Sequence, residues 1–289
     1  MANTTSADRR NLLKLGTIGL AAAATLDVHR AAAQGASTSL LRTVLDRGKL
    51  IVGTGSTNAP WHFEDTSGKL TGMDIAMGRI LATGLFGDAN KVDFVQTAPE
   101  ARIPNITTGK VDIVIQFMTI SSQRAQLVNF SRPYYVEGVA LLTLPDAKIK
   151  TFDQLQAAGK NARASVLQNV GADDLVHQVL PDAQVMQLDT QANVVQALQS
   201  HRVDGAAVDL STVRWMVKQD PTKYADSGMH WQHQLYGAAM RQGDLDWLQF
   251  VNTVFNVAMF GNDTAVYDAA FKEFFGEEPP ARHPGFPMI

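Results

Sequence analysis

From Leu40 onward the chain alternates short apolar runs with stretches of helical periodicity, and it does so twice. In the first series, KLIVGT (49–54) reads as a buried strand, MDIAMGRILATGLF (73–86) as a helix, and KVDFVQ (91–96) as a second strand. ARIPNITTGK follows as a short helix closed by Gly109, then VDIVIQF (111–117) as a third strand. The second series runs NARASVL, GADDLVHQVL, AQVMQL, QANVVQALQS and VDGAAVDL, again strand, helix, strand, helix, strand. Such alternation predicts an α/β fold of mostly parallel sheets flanked by helices.

One echo links the two series. NITTGKVDIVIQF and ALQSHRVDGAAVD each end a helix, carry a basic residue, and enter a strand through Val-Asp. Asp112 therefore matches Asp204, and Phe117 matches Asp209. Two similar lobes are expected, each with strands ending at a functional edge. After Met229, HQLYGAAMRQ reads as a further strand and LDWLQFVNTVFNVAMFG as a long helix. The Pro-rich EEPPARHPGFPMI reads as a surface strap or loose end.

Ligands of open α/β sheets gather beyond the carboxyl ends of strands, so the residues just past those ends are the candidates. The first is IVGTGSTNAPWHFED (51–65). A dinucleotide loop requires a third glycine where Asn58 stands and a helix where Pro60 and Trp61 stand, so this stretch reads as a strand exit carrying Asn58 and Trp61. The second is QFMTISSQRAQLVNFSRPYY, in which Ser121 or Ser122 caps a helix of about two turns. Backbone N–H groups, the Thr119 hydroxyl and the Arg124 guanidinium can converge there on a small anion such as a carboxylate. An ordinary capped helix with a surface arginine, and with Phe130, Tyr134 and Tyr135 as packing residues, explains the same pattern. The third is Asp209 at the end of VDGAAVDL, placed either to receive an ammonium group or to cap the next helix.

Composition narrows the function classes. The chain has no cysteine, which removes disulfides, thiolate metal sites and cysteine nucleophiles. Its formal charge of -3, with scattered lysines and arginines, gives no footprint for nucleic acid. The N-terminus carries Arg9, Arg10 and Lys14, then an apolar stretch from Leu15 to Leu26 and a small-residue segment ending in Ala31-Ala32-Ala33. This is the order of a cleavable export signal, and RRNLLK fits the twin-arginine type, with cleavage expected after Ala33. The mature protein is then expected to be soluble, mildly acidic and periplasmic.

Taken together, RGKLIVGT, GKLTGMDIAMGRILA, RIPNITTGKVDIVIQFMTIS, Arg124, VNFSRPYY, HRVDGAAVDL, MRQGD and KEFFG resemble the family 3 periplasmic solute-binding proteins, the amino-acid-binding components of ABC importers. The resemblance runs from about Arg42 to Gly276 and implies the two-lobe type II binding-protein fold. Lobe 1 is expected over 37–137 plus 235–289 and lobe 2 over 138–234, joined by crossing strands near 136–139 and 232–235. It further implies that Arg124 and Thr119, with the backbone of Phe117, take an α-carboxylate and that Asp209 takes the ammonium. Asn58, Trp61, Gln116 and Phe117 would border the ligand side chain. Three positions depart from the family pattern. Gly55 and Asn58 stand where several members carry an acid and an aromatic, and QNVGAD replaces a Gly-Thr carboxylate loop, leaving backbone groups such as those of Gly171.

The expected function is capture of a polar or uncharged α-amino acid by lobe closure and delivery to an inner-membrane permease. The protein would work as a monomer, without cofactor, metal or nucleic acid. Gly55 in place of an acid predicts poor binding of lysine, arginine and histidine. The alternative is a dehydratase on the same fold acting on a prephenate-like or arogenate-like acid, which requires a cleft carboxylate, Glu64 or Asp209. His230 and His233 lack a third metal ligand. Glu64 and Asp65 read as a solvated turn.

Overall fold

The computed structural model describes residues 39–168 and 171–285; the export signal expected over 1–33 and the last residues of the tail lie outside them. After helix α1 (Leu40–Arg47), β1 (Leu50–Thr54) enters the first sheet, and β2 (Thr57–Asn58), β3 (His62–Glu64) and β4 (Leu70–Thr71) form a small antiparallel flap. Helix α2 (Met73–Phe86), β5 (Val92–Gln96), α3 (Arg102–Thr107), β6 (Ile113–Val114), the single turn α4 (Ser122–Ala125) and β7 (Asn129–Phe130) complete the first series. Strand β8 (Tyr135–Thr143) leads into the second series: α5 (Phe152–Ala158), β9 (Arg163–Leu167), α6 (Ala172–His177), β10 (Gln184–Leu188), α7 (Gln191–Gln199), β11 (Gly205–Asp209) and α8 (Leu210–Gln219). Strand β12 (Ala225–Tyr236) returns to β13 (Ala239–Met240), followed by α9 (Leu245–Phe260) and α10 (Ala265–Phe275).

Two five-stranded sheets result, ordered β5-β1-β6-β13-β7 and β10-β9-β11-β8-β12. Parallel pairing holds for β5-β1-β6 and β10-β9-β11. The rest is antiparallel, so both sheets are mixed rather than mostly parallel. The cause is connectivity: β8 carries the chain out of the first series and β12 brings it back, so the two must run in opposite directions. They pair through Tyr135↔Tyr236, Val136↔Leu235 and Glu137↔Gln234, between the two sheets. The expected strand HQLYGAAMRQ is accordingly two, the end of β12 and then β13.

Apolar side chains fill both faces of each sheet, as helix-covered α/β sheets require. Helices α9 and α10 pack with α2 on the first sheet, so the C-terminal segment rejoins the first series. The tail is a strap within the described residues: Arg282 forks onto Asp268 at 2.6 and 3.0 Å and donates to the Met259 carbonyl.

The echo between the series is structural. Asp112, just before β6, accepts from the Ile51 N–H at 2.7 Å and from Arg47, tying the entrance of β6 to that of β1. Asp204, just before β11, accepts from the Arg163 N–H at 3.0 Å and holds its guanidinium through both oxygens, doing the same for β11 and β9. One charge-assisted clamp thus aligns the same strand pair in each lobe, and the strands' other ends converge on one cleft.

Candidate functional site

A cavity of about 630 Å³ opens between the carboxyl ends of the two sheets. The first sheet contributes the residues after β1 (Gly55 to Asn58), after β5 (Thr97 to Pro99) and after β6 (Gln116, Phe117 and Thr119). The second contributes Val166, Leu167, Val208 and Asp209, together with Asp189, Thr190 and Gln191. Gln234 and Tyr236 of β12 form the floor. Placement beyond strand ends is what the topology requires of a binding cleft.

Thr119 and Arg124 come from the loop after β6. Ser121 caps α4 by accepting from the Arg124 N–H at 3.3 Å, and Arg124 Nη1 donates to the Thr119 carbonyl at 2.8 Å. With α4 only one turn long, the guanidinium itself is the main anion-attracting group of this wall. Burial pushes the Arg124 pKa down, and no carboxylate lies within ion-pairing distance of it among the described residues. The Thr119 hydroxyl donates to Gln234 Oε1 at 3.0 Å, joining this wall to the floor.

Asp209 faces them from the second sheet. It occupies the N-cap position of α8 yet makes no capping bond there; its Oδ2 accepts instead from the Tyr236 hydroxyl at 2.8 Å. Burial raises its pKa to about 6, against the lowering effect of that hydrogen bond. A second carboxylate, Glu137 of β8, lies behind it, 1% exposed. Burial, and then the Asp209 charge, push Glu137 up to about 8. Its oxygens accept from the Ser211 hydroxyl at 2.5 Å, the Ser211 N–H at 3.2 Å and the Gly138 N–H at 2.9 Å.

Phe117 and Gln116 also line the cleft, and Phe117 is held in the left-handed region at φ 34°. Its N–H donates to Asp74 Oδ2 at 3.0 Å, so the ring rather than the amide is what Phe117 presents. Asp74 also accepts from the Tyr134 hydroxyl and pairs with His62 Nδ1, each at 2.8 Å. The His62 ring is thereby fixed flat against Phe117, with centroids 4.7 Å apart and planes 3° apart. Gln116 Nε2 donates to the Thr97 carbonyl at 2.9 Å, while its buried Oε1 has no partner among the described residues.

Two expected residues stand elsewhere. Trp61 is 1% exposed and does not line the cavity. The Pro60 and Trp61 carbonyls accept from the Met73 and Asp74 N–H groups, capping α2, and a Cβ on Gly72 would lie 2.2 Å from the Trp61 oxygen. That docking turns the indole inward among Tyr135, Tyr236 and Phe275, of which Tyr236 lines the cleft. Gly171 sits at φ 82° ahead of α6 and is not part of the lining either. Asn58 does line it, its amide 3.4 Å from His62 Nε2. Glu64 is exposed outside the cavity, and Asp65 closes a turn through Ser67 and Lys69. His230 pairs with Asp226, and no group of metal ligands exists among the described residues.

Sequence reasoning missed His62, Arg102, Glu137, Gln234 and Tyr236. His62 was visible inside the strand-exit loop, and Arg102 just past the end of KVDFVQ, where Pro99 opens a turn. The crossing-strand residues carried no local signal, because only the pairing of β8 with β12 brings them to the cleft.

Comparison with known proteins gives the family and the fold. The chain is 25% identical over 240 residues to the ABC transporter glutamine-binding protein GlnH of Bacillus subtilis, covering 83% of this chain and 85% of that protein. It is 29% identical over 240 residues to the L-cystine-binding protein TcyJ of Escherichia coli, covering 82% and 86%. Among solved structures it resembles the ancestral amino acid-binding protein AncCDT-1, described as a precursor of cyclohexadienyl dehydratase, with 30% identity and a TM-score of 0.66. That likeness covers 82% of this chain and 100% of the other. These relatives are named as binding proteins rather than enzymes. The family model for bacterial extracellular solute-binding proteins, family 3, matches residues 50–277, and the chain belongs to that family.

Proposed function

We propose that this protein captures an α-amino acid with a polar, non-cationic side chain in the periplasm and delivers it, as a monomer, to an ABC permease. The observation that carries the reading is the opposition of Arg124 and Asp209. They line one cavity from different sheets, and neither has an oppositely charged side-chain partner among the described residues. Arg124 and Thr119 take the α-carboxylate, Asp209 takes the ammonium, and Asn58, Gln116 and Phe117 border the side chain. A ligand held by both walls binds the closed state better than the open one, which drives closure. The hinge lies at 137/138 and 234/235, supported by the Glu137↔Gln234 pairing between the sheets.

Rejection of cationic side chains rests on two groups of the cavity, His62 beside Gly55 and Arg102. A Cβ on Gly55 would lie 2.6 Å from His62 Cδ2, so the ring fills the space of an acidic side chain, and Arg102 adds positive charge to the same cavity. Titration calorimetry with the twenty amino acids tests the reading. At least one non-cationic amino acid is expected to bind, with binding lost in Arg124→Ala. Tight binding of lysine or arginine, or unchanged binding in Arg124→Ala, overturns it. For export, Arg9→Lys with Arg10→Lys is expected to leave the precursor in the cytoplasm.

A further inference from the structure

The two ionic groups of an α-amino acid match Arg124 and Asp209 and leave a third charge in the cavity unanswered. Arg102, at the start of α3, lines the same wall. Its Nε donates to the Pro99 carbonyl at 2.9 Å and its Nη1 to the Gln116 carbonyl at 3.2 Å, while the guanidinium lies 5.8 Å from the Phe117 ring centroid. Two backbone acceptors and one aromatic face therefore fix the head, and Nη2 has no partner among the described residues. Nor does any carboxylate lie within ion-pairing distance of it there. Asp74, the acidic group on its own side, is occupied by His62, Tyr134 and the Phe117 N–H. Burial, and then the Arg124 charge, bring the Arg102 pKa down to about 10, as expected for a cation held without a counterion.

We propose that Arg102 is the receptor for a second carboxylate, so that the preferred ligand is an amino acid bearing one carboxylate beyond its own α-carboxylate. This deepens the amino-acid reading above and rests on it. A planar guanidinium held at its Nε side and open at Nη2 suits a carboxylate, and an anion there balances the cavity's charge. The chemistry comes from two sources, a short dicarboxylic amino acid or a longer diacid such as cystine. The competing role for Arg102 is a latch to Asp189, which lines the opposite wall with Oδ1 accepting from Asn193 at 2.6 Å. A latch would strengthen closure on every ligand alike.

Calorimetric titration of the purified protein with L-glutamate, L-aspartate, L-cystine, L-glutamine and glutarate decides the matter, run on the wild type, Arg102→Gln, Arg102→Lys and Asp189→Asn. At least one of the three second-carboxylate ligands is expected to bind roughly 30-fold or more tighter than L-glutamine. Arg102→Gln should erase that preference while changing L-glutamine affinity less than about threefold, and Arg102→Lys, which keeps the charge but loses the planar fork, should reduce it clearly without erasing it. Asp189→Asn should leave the preference intact. Unfolding midpoints without ligand establish that the variants fold, and the lysine variant carries the test if the glutamine variant does not. L-glutamine matching or exceeding L-glutamate, L-aspartate and L-cystine alike overturns the proposal, as does an equal loss for every ligand in Arg102→Gln. Binding of glutarate alone, abolished in Arg102→Gln, overturns the proposal of an amino-acid diacid but leaves Arg102 an anion receptor. No binding by any of the five overturns the second-carboxylate proposal and leaves the amino-acid reading to be decided by the titrations with all twenty amino acids.

Discussion

The Trp61 indole N–H donates to the Ser211 hydroxyl at 2.9 Å, across 150 positions of sequence. Ser211 in turn donates to Glu137, so a loop of the first sheet, the first turn of α8 and the crossing strand β8 share one buried hydrogen-bonded chain. This chain lies behind the cleft, beside the crossing strands that join the two sheets.

Trp61→Phe removes the donor and part of the ring from a fully packed site. Lost packing and a lost buried hydrogen bond together should cost about 2–4 kcal/mol. Urea unfolding is the check, and a shift in midpoint at unchanged slope is the expected form. A cost below about 0.5 kcal/mol would show that the indole merely covers Ser211 and the crossing strands.

Glu137 should make stability fall with rising pH. Its folded pKa is raised from 4.5 to about 8, so between those values the folded state holds a proton that the unfolded chain releases. Stability from this group is complete below pH 4.5 and is lost as pH rises through 8, with a slope of at most about 1.4 kcal/mol per pH unit. Asp209 acts in the same direction over a lower range, between 3.8 and about 6. Glu137→Gln, which keeps an acceptor for Ser211, should flatten the profile between pH 6 and 8 in unfolding experiments. An unaltered profile would place the pH dependence elsewhere.

What was legible in the sequence was periodic. Helix α2 matches its predicted span of Met73–Phe86, and the Val-Asp echo marked the two strand entrances that Asp112 and Asp204 clamp. Arg124, Thr119, Asp209, Phe117, Gln116 and Asn58 line the cavity because each follows a strand's carboxyl end, which is a local property. Trp61 follows one too, yet the docking of its loop on α2 rotates it inward. Strand β6 covers only Ile113–Val114 of VDIVIQF, although the Asp112 and Ile115 N–H groups on either side still donate to the Ile51 and Gly53 carbonyls of β1. The antiparallel halves of both sheets, and the acidic pair Glu137 and Asp209 behind the cleft, depend on pairing far along the chain and left no periodic trace.

Gly55 is a packing requirement as well as a departure from the family pattern. A Cβ would stand 2.6 Å from His62 Cδ2 and 2.7 Å from its Nε2, and the ring cannot retreat because Asp74 and Phe117 hold it. Gly55→Ala should therefore cost about 1–3 kcal/mol by overpacking. Gly55→Asp should cost no less and should not by itself admit lysine. Thermal unfolding with and without L-lysine reads both statements, and a stable, lysine-binding Gly55→Asp variant would refute them.

Asp209 should make ligand affinity depend on pH in the opposite sense to stability. An ammonium requires the ionised carboxylate, and with the pKa of the free protein raised to about 6, binding below that pH must first expel a proton. Affinity for an uncharged amino acid such as L-glutamine should be nearly flat between pH 7 and 7.5 and fall by up to about tenfold per pH unit below 6. Asp209→Asn removes the charge but keeps an acceptor for Tyr236, so folding should survive while affinity at pH 7.5 drops roughly 30-fold or more. In that variant the fall between pH 7 and 5 should vanish, because the α-carboxylate and the arginines do not titrate there. Calorimetric titrations at pH 5, 6, 7 and 7.5 separate the outcomes: a slope that persists in Asp209→Asn assigns the linked proton to another group, and an unchanged affinity at pH 7.5 removes Asp209 from the site.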